Sequence, residues 1–292
     1  MSRQRQGLSD RDSRTNFFMS KQIGQHIVRI IVPCFLVGAV ISGCASVYRL
    51  PPAPTVGADD PRAVQPERPS VATHAGTVAP GYVEIESGIE RDANADRIYA
   101  EQVPTLLKFG VTSRVQLAVL VPIARATGVK AGIGDVNVGV KWRVLEHHPF
   151  WSDIALLPSV TFSTGGARGS GSTAASLLLI NSRTFGPVSL DLNVAATWHS
   201  GDGEGVPRTS TFWTAAASAP VRGPIGWELE CYGYPGTGGA AGSVPIVAIL
   251  TGPTWLVHRA LSLDVGVIAP IIGPQPRAVY VGITTNLGRL LF

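Results

Sequence analysis

The chain has 292 residues and a formal net charge of +4, from 24 basic and 20 acidic residues. Six of the basic and two of the acidic residues lie in the first 43 positions, so the rest of the chain is neutral. The basic excess therefore belongs to the chain start, and it gives no support to nucleic-acid binding or to a basic membrane-binding patch.

The first 43 residues have the layout of a bacterial signal peptide. Lys21 and Arg29 precede the apolar run IIVPCFLVGAVISG, which is interrupted by Pro33 and is too short to span a bilayer comfortably. A start at Met19 leaves the usual short basic leader, MSKQIGQHIVRIIV, so we expect Met19 to be the initiator. We expect residues 1–43 to be removed from the mature protein.

The end of the apolar run, VISGCAS, resembles the lipobox of bacterial lipoproteins. The resemblance implies that Cys44 becomes the first mature residue and carries acyl chains, and that Ala45 is compatible with export to the outer membrane. The alternative is an ordinary signal peptide that has a cysteine near its end. Since Cys34 lies in the leader, acylation of Cys44 would leave Cys231 as the single thiol, and no internal disulfide is then expected.

Residues 44–80 are rich in proline and poor in bulky apolar side chains. This composition favours an extended, semi-rigid chain over a packed core. We therefore predict that this stretch is a lipidated tether, and we identify no chemically active motif in it.

Residues 81–292 contain about twelve short segments in which apolar and polar residues alternate. In SDIALLPSVTF, for example, Ile154 and Val160 fall on one face, whereas Asp153 and Thr161 fall on the other. Short joins such as FGPVS alternate strictly along the chain with longer glycine-rich or charged joins such as HSGDGEGVPRTS. A transmembrane barrel has this asymmetry, whereas a soluble sandwich has no reason for it.

We therefore predict an all-β protein, a transmembrane up-and-down antiparallel β-barrel of about twelve strands over residues 81–292, with ten or fourteen strands as alternatives. Because short and long joins alternate, the N- and C-termini of the barrel would both lie on the periplasmic side of the outer membrane of a Gram-negative bacterium. Three segments alternate poorly: residues 98–108, 174–184 and 244–256. The terminal Phe292 resembles the aromatic end that the barrel-assembly machinery recognises.

Five segments occur in an order that is informative: PTLLKFGVTSRVQL (104–117), GIGDVNVGVKWRVLEH (132–147), LPSVTFSTG (157–165), LDLNVAA (190–196) and YVGIT (280–284). This order resembles the outer-membrane barrel family named for the MetA pathway of phenol degradation, whose members are treated as transporters. Two features depart from the family, because Ser163 stands where a proline is usual and members commonly have a plain signal peptide. The resemblance implies a non-enzymatic barrel that passes or binds small, apolar or aromatic solutes.

Polar residues on the predicted inner faces are candidates for lining a water-filled route. The alternative is that they pair with one another and fill a narrow lumen, as in small barrels. A barrel of about twelve strands lies between these extremes, and we favour a narrow pore or a binding cavity. Because both charge signs are present, strong ion selectivity is not expected. The candidates are Glu84, Glu86, Arg114, Asp135, Lys141, Arg143, Asp153, Asp191, Glu228, Glu230 and Asp264.

The favoured function is thus an outer-membrane channel or transporter for small solutes. Its expected partners are outer-membrane lipid, the barrel-assembly machinery and the lipoprotein-export machinery. One alternative is a plugged or structural barrel lipoprotein, and another is a soluble periplasmic β-sandwich lipoprotein. A third is an outer-membrane enzyme that cleaves or transfers lipid acyl groups through His199 and Ser200, although no third orienting group can be placed beside them.

The sequence predicts neither a cofactor nor a metal site. His147 and His148 are adjacent, so in a strand they would point to opposite faces. The glycine-containing stretch GIGDVNVG lacks the following helix and the lysine of a nucleotide-binding loop.

Overall fold

The structure is a computed structural model that describes residues 60–68, 70–93, 99–126, 128–166, 169–201, 206–237 and 244–290. The predictions for the signal peptide, Met19, Cys44 and Phe292 therefore lie outside the described residues. The strands are β1 Tyr82–Ala93, β2 Tyr99–Gly110, β3 Val115–Ala126, β4 Val129–Ile133, β5 Val136–His148, β6 Ser152–Phe162, β7 Ala174–Phe185, β8 Val188–His199, β9 Thr209–Arg222, β10 Ile225–Tyr234, β11 Ile246–His258, β12 Leu261–Ile272 and β13 Arg277–Arg289. Within the described ranges, no helix is long and apolar enough to cross a membrane.

The strands pair antiparallel with their neighbours in sequence and close into a barrel. β4 and β5 both pair with β3, so they are two parts of one barrel strand on either side of Gly134 and Asp135. The first strand closes the barrel against the last, with Gly88 opposite Gly282 in the β1–β13 register. Closure leaves no unpaired sheet edge. The predicted antiparallel barrel of twelve strands is confirmed.

Strand β13 shows why the sequence folds this way. Val279 and Val281 are 56% and 52% exposed on the outer face, whereas Ala278 and Tyr280 are 4% and 3% exposed on the inner face. Successive side chains of a strand point to opposite faces, and β-branched residues suit the pleated outer surface. The two-residue period therefore builds an apolar outside and a separate inner lining.

The two ends of the barrel differ in their connections. One end, which we call the turn end, carries the short turns at residues 111–114, 149–151, 186–187, 223–224 and 259–260. Gly186 and Gly223 open two of these turns with φ angles of +59° and +54°, which glycine adopts at little cost. The longer connections lie at the opposite end, which we call the loop end.

Two details differ from the pattern that the sequence suggests. The predicted long join at residues 124–134 is largely strand, because β3 continues to Ala126 and pairs with β4 as a hairpin. The three poorly alternating segments form β2, β7 and β11. Their inner positions carry apolar residues such as Leu106, Leu178 and Leu250, so the contrast between the two faces is weak.

Candidate functional site in the barrel lumen

Residues 60–68 and 70–80, which we call the inner segment, lie inside the barrel, so this part of the predicted tether is not a tether. At the turn end, the Arg259 guanidinium donates a hydrogen bond of 3.0 Å to the Asp60 carboxylate. The segment returns to the same end, where the Thr77 hydroxyl donates to the Ser113 carbonyl at 3.0 Å. Between these points the segment occupies the lumen, and β1 begins directly after it.

Side chains of the barrel wall bind the main chain of the inner segment. Glu230 of β10 accepts the N–H groups of Val71 and Ala72 at 2.7 and 2.9 Å. Asn193 of β8 accepts the Thr73 N–H at 2.7 Å and donates to the Thr73 carbonyl at 2.9 Å. An unsatisfied buried main-chain group costs about 1–3 kcal/mol, so these bonds allow an irregular chain to lie in the lumen. Similar N–H bonds join Gln65 to Glu84, Glu67 to Glu86, Ala75 to Ser182 and Val78 to Gln116.

Lys141 of β5 is the wall residue with the most bonds to the inner segment. It is fully buried, forms an ion pair with Glu67, and donates to the carbonyls of His74 and Gly76 at 2.9 and 3.2 Å. Burial raises the pKa of Glu67, but the cations of Lys141 and Lys108 outweigh it and hold that pKa well below its usual range. The Glu67 carboxylate therefore stays charged beside Lys141.

Lys108 of β2 forms the second buried charge centre. Its ammonium group lies 2.6 Å from Glu84, contacts Glu86, and donates to the carbonyl of Gln65 in the inner segment. Buried charges are stable only when they are paired and hydrogen-bonded. The wall and the inner segment thus complete each other's polar groups.

His74 links two parts of the inner segment as a neutral imidazole. Its Nδ1 accepts the Gly76 N–H at 3.0 Å, so Nε2 must carry the proton that it donates to the Gln65 carbonyl at 3.3 Å. Burial lowers the pKa of His74 and the nearby Lys141 cation lowers it further, to about 3. The docked inner segment therefore selects the uncharged ring.

Towards the loop end, the β9–β13 side of the lumen is mostly apolar. Two buried clusters line the inner face, one on β9 to β13 and one on β6 and β7. Their members are Phe212, Tyr232, Ala248, Leu250, Ile268, Ala278 and Tyr280 in the first, and Ala155, Leu157, Leu178 and Ile180 with Ala75 of the inner segment in the second. The charged side chains that bind the inner segment lie on the turn-end side of the first cluster, and the second cluster packs against the inner segment itself.

Most of the sequence-predicted lumen residues surround the inner segment, and several bond to it. The sequence predicts a narrow pore or a binding cavity, but in this half of the lumen the charges pair and, together with the inner segment, fill much of the space. A cavity of about 670 Å³ remains between the segment and the wall towards the turn end, with Asp191 and Glu228 in its lining. The sequence-predicted residues that surround the inner segment are Glu84, Glu86, Lys141, Asp191, Glu228, Glu230 and Asp264.

The other four predicted residues lie at the rims. Arg143 donates to the Ser113 carbonyl at 2.7 Å, and Asp153 accepts the His147 N–H at 2.6 Å, both at the turn end. Asp135 accepts the N–H groups of Gly165 and Ser170 at 2.9 and 2.7 Å and so braces a loop-end connection. Arg114 lies in the exposed β2–β3 turn, 3.5 Å from Glu146, and does not line the lumen.

Several site residues escaped the sequence analysis. Lys108 was missed because its strand alternates poorly, so its face was not evident. Three further site residues are neutral, so no charge marks them as lumen residues in the sequence: Gln116, Ser182 and Asn193. The inner position of Asn193 in its alternating strand is the one sequence feature that indicates it. The inner segment was missed because its composition is that of a solvated linker.

His199 and Ser200, the residues of the enzyme alternative, each contact other side chains or main-chain groups. The ring nitrogens of His199 lie 3.4 Å from the Ser172 hydroxyl and 3.5 Å from the Ser210 hydroxyl, while the Ser200 hydroxyl accepts the Thr173 N–H. In the part of the chain that the structure describes, no group of three or more His, Cys, Asp or Glu side chains is placed to hold a metal ion.

Comparisons with known proteins support the fold. An outer-membrane channel from Pseudomonas putida F1 superimposes with a TM-score of 0.57 at 12% identity, over 73% of this chain and 98% of that one. The NanC porin gives a TM-score of 0.50 at 8% identity, over 70% and 100% of the two chains. At such identities the likeness is one of fold. No protein-family model and no curated protein sequence matches the chain.

Proposed function

We propose that this protein is an outer-membrane channel for small solutes that its own inner segment closes at rest. The observation that carries the proposal is a closed barrel with an apolar outer face, whose lumen is occupied by a segment bound through polar contacts. The fold shared with an outer-membrane channel and a porin supports the same reading.

The outer face supports a membrane location. Trp142, Trp227 and Trp255 are about half exposed on the outer face near the turn end, and Trp198 is half exposed near the loop end. Tryptophan at both ends of an apolar band is typical of barrels whose rims lie at the two membrane interfaces. In this proposal the N- and C-termini of the barrel are periplasmic, and an acylated Cys44 adds a second anchor.

Replacing Val194 by arginine is expected to destabilise the protein in membranes. Val194 is 57% exposed in the middle of β8, and an arginine on the lipid face near the bilayer midplane costs about 2–4 kcal/mol. Urea unfolding in lipid vesicles measures this loss. Val111→Arg is the matched control, because Val111 is 58% exposed in the β2–β3 turn; equal stability of the two variants would argue against lipid at the barrel surface.

The apolar lining supports small apolar or aromatic solutes as cargo. The rings of Phe212, Tyr232 and Tyr280 and the side chains of Leu250 and Ile268 line the route from the loop end. This is also the solute class implied by the resemblance to the barrel family of the MetA pathway. Apolar surface of this kind would favour such solutes by their removal from water.

The inner segment is suited to reversible closure. Its buried apolar side chains are small, namely those of Ala63, Val64, Ala72, Ala75 and Val78. Little apolar surface is therefore exposed when the segment leaves, and the hydrogen bonds that it gives up can be replaced by water. The second candidate is a permanently plugged structural barrel, which the buried ion pair between Lys141 of the wall and Glu67 of the inner segment favours.

Solute flux into proteoliposomes separates the two candidates. The expected result is slow flux through the wild-type protein and faster flux when the inner segment is loosened by Lys141→Ala, with aromatic solutes ahead of sugars of equal size. A gel shift on heating checks that the barrel stays folded. A folded variant with a loosened segment and no flux of any solute would overturn the channel proposal.

A further inference from the structure

The guanidinium group of Arg68 lies in a slot that two facing glycines leave open in the wall. A Cβ on Gly88 would lie 2.6 Å from the Val281 carbonyl oxygen and 2.7 Å from Arg68 Nη2, and a Cβ on Gly282 would lie 2.5 Å from Arg68 Nε and 2.6 Å from Asp264 Oδ2. No larger residue fits at either position while Arg68 stays in place. We call this place, formed by Gly88, Gly282, Asp264 and Tyr280, the arginine slot.

Arg68 fills the arginine slot imperfectly. Its Nε lies 3.8 Å from Asp264 Oδ1, beyond hydrogen-bond range, although the Asp264 side chain is only 4% exposed. Tyr280 is 3% exposed, and its hydroxyl is within electrostatic range of both groups. Among the described residues, Arg68 Nε, Asp264 Oδ1 and the Tyr280 hydroxyl have no hydrogen-bond partner. The slot thus holds a cation by charge and leaves hydrogen-bonding capacity unused.

The route from the loop end to the arginine slot favours cations. Between the slot and the loop end, the charged inner residues on the described parts of β1, β2 and β9 to β13 are Glu90 and Asp92, both acidic. They lie within electrostatic range of Tyr232, whose ring packs edge-on against Tyr234, with Phe212 beside it. Carboxylates and aromatic faces attract cations.

We propose that the arginine slot binds the guanidinium or ammonium end of an incoming organic cation, which displaces Arg68 and releases the inner segment. The inference rests on the proposed channel function and adds its trigger. Arg68 acts as an internal ligand that occupies the arginine slot until a cation that binds more tightly displaces it. A free cation with N–H donors can bond Asp264 and Tyr280 directly, and its apolar part can lie along the aromatic lining.

The test measures release of the inner segment and conductance separately. A cysteine placed at Ala72, which is 3% exposed, reports release through its labelling by a maleimide, read by peptide mass. Conductance is recorded on the full-length protein in planar bilayers. Millimolar guanidinium chloride on the loop side is expected to raise labelling and open probability several-fold at constant ionic strength, whereas tetramethylammonium, which has no N–H donor, leaves both unchanged.

Variants locate the effect. Arg68→Ala is expected to raise resting conductance and labelling and to abolish the guanidinium response. Gly282→Ala should do the same, because the added methyl group would lie too close to both Arg68 Nε and the Asp264 carboxylate for the two groups to stay in the slot. Arg62→Ala is the matched control, since Arg62 belongs to the same segment but is exposed, and it should behave as the wild type.

The outcomes distinguish this inference from the channel proposal. If Lys141→Ala conducts but guanidinium changes neither labelling nor conductance of the wild type, the proposal of cation binding in the arginine slot is wrong and the channel proposal is retained. An equal response to tetramethylammonium, or a response that persists in Arg68→Ala, also overturns the slot. If guanidinium raises labelling while no variant conducts, the slot stands and the channel proposal fails.

Discussion

Lys141→Ala is expected to release the inner segment and open the lumen. The substitution removes the cation that pairs with Glu67 and the donor that the His74 and Gly76 carbonyls accept. Breaking a buried ion pair by removing one partner costs about 3–5 kcal/mol, because the other charge is left buried and uncompensated. Since about 1.4 kcal/mol corresponds to a tenfold change, docking should weaken more than about a hundredfold.

Single-channel recording and maleimide labelling of a cysteine at Ala72 measure this release. Lys130→Ala is the control, because it removes the same side chain from an exposed position on the β4 hairpin. Adding Glu67→Gln to Lys141→Ala should restore part of the closure, since it removes the charge left without a partner. A Lys141→Ala protein that stays unlabelled and closed would show that the inner segment does not depend on this ion pair.

Acidification is expected to loosen the inner segment through His74. The docked ring is neutral with a pKa of about 3, whereas the free side chain titrates near 6.5. The released state therefore binds the proton more tightly, so docking is strongest above the free pKa and weakens as the pH falls from 6.5 towards 3. The loss approaches about tenfold per pH unit in this range.

The charged groups that face His74 reinforce this direction of the pH dependence. Lys141 and Lys108 disfavour a second positive charge, and Glu67 offsets them only in part. Glu67 itself stays ionised, because its pKa is held far below this range, so it does not contribute to the transition. Protonation at Nδ1 would also replace the acceptor of the Gly76 N–H by a donor.

Labelling at position 72 and conductance should therefore rise between about pH 7.5 and about pH 5, by about thirtyfold at most in the docking equilibrium. His74→Gln keeps a donor and an acceptor but does not titrate, so its response should be clearly smaller than that of the wild type. His258→Gln, at an exposed position of β11, serves as the control. A pH response of equal size in His74→Gln would assign the effect to other groups.

The barrel itself could be predicted from the sequence because its signals are local. The alternation of Ile154 and Val160 with Asp153 and Thr161 follows directly from the two-residue period of a strand. The same period identified Glu84, Glu86, Lys141 and Glu230 as inner residues. The sequence of each strand by itself therefore indicates which of its side chains face the lumen.

The occupant of the lumen was decided only by the tertiary structure. Residues 60–80 have the composition of a solvated linker, and their main-chain groups are satisfied by side chains far away in sequence, such as Glu230, 158 and 159 residues after the Ala72 and Val71 N–H groups that it accepts. Lys108 likewise meets Glu84 and Glu86 across a strand ladder. Period and composition act over a few residues, whereas a closed lumen brings distant polar groups into one small, poorly solvated space, and only there does their pairing become the lowest free energy.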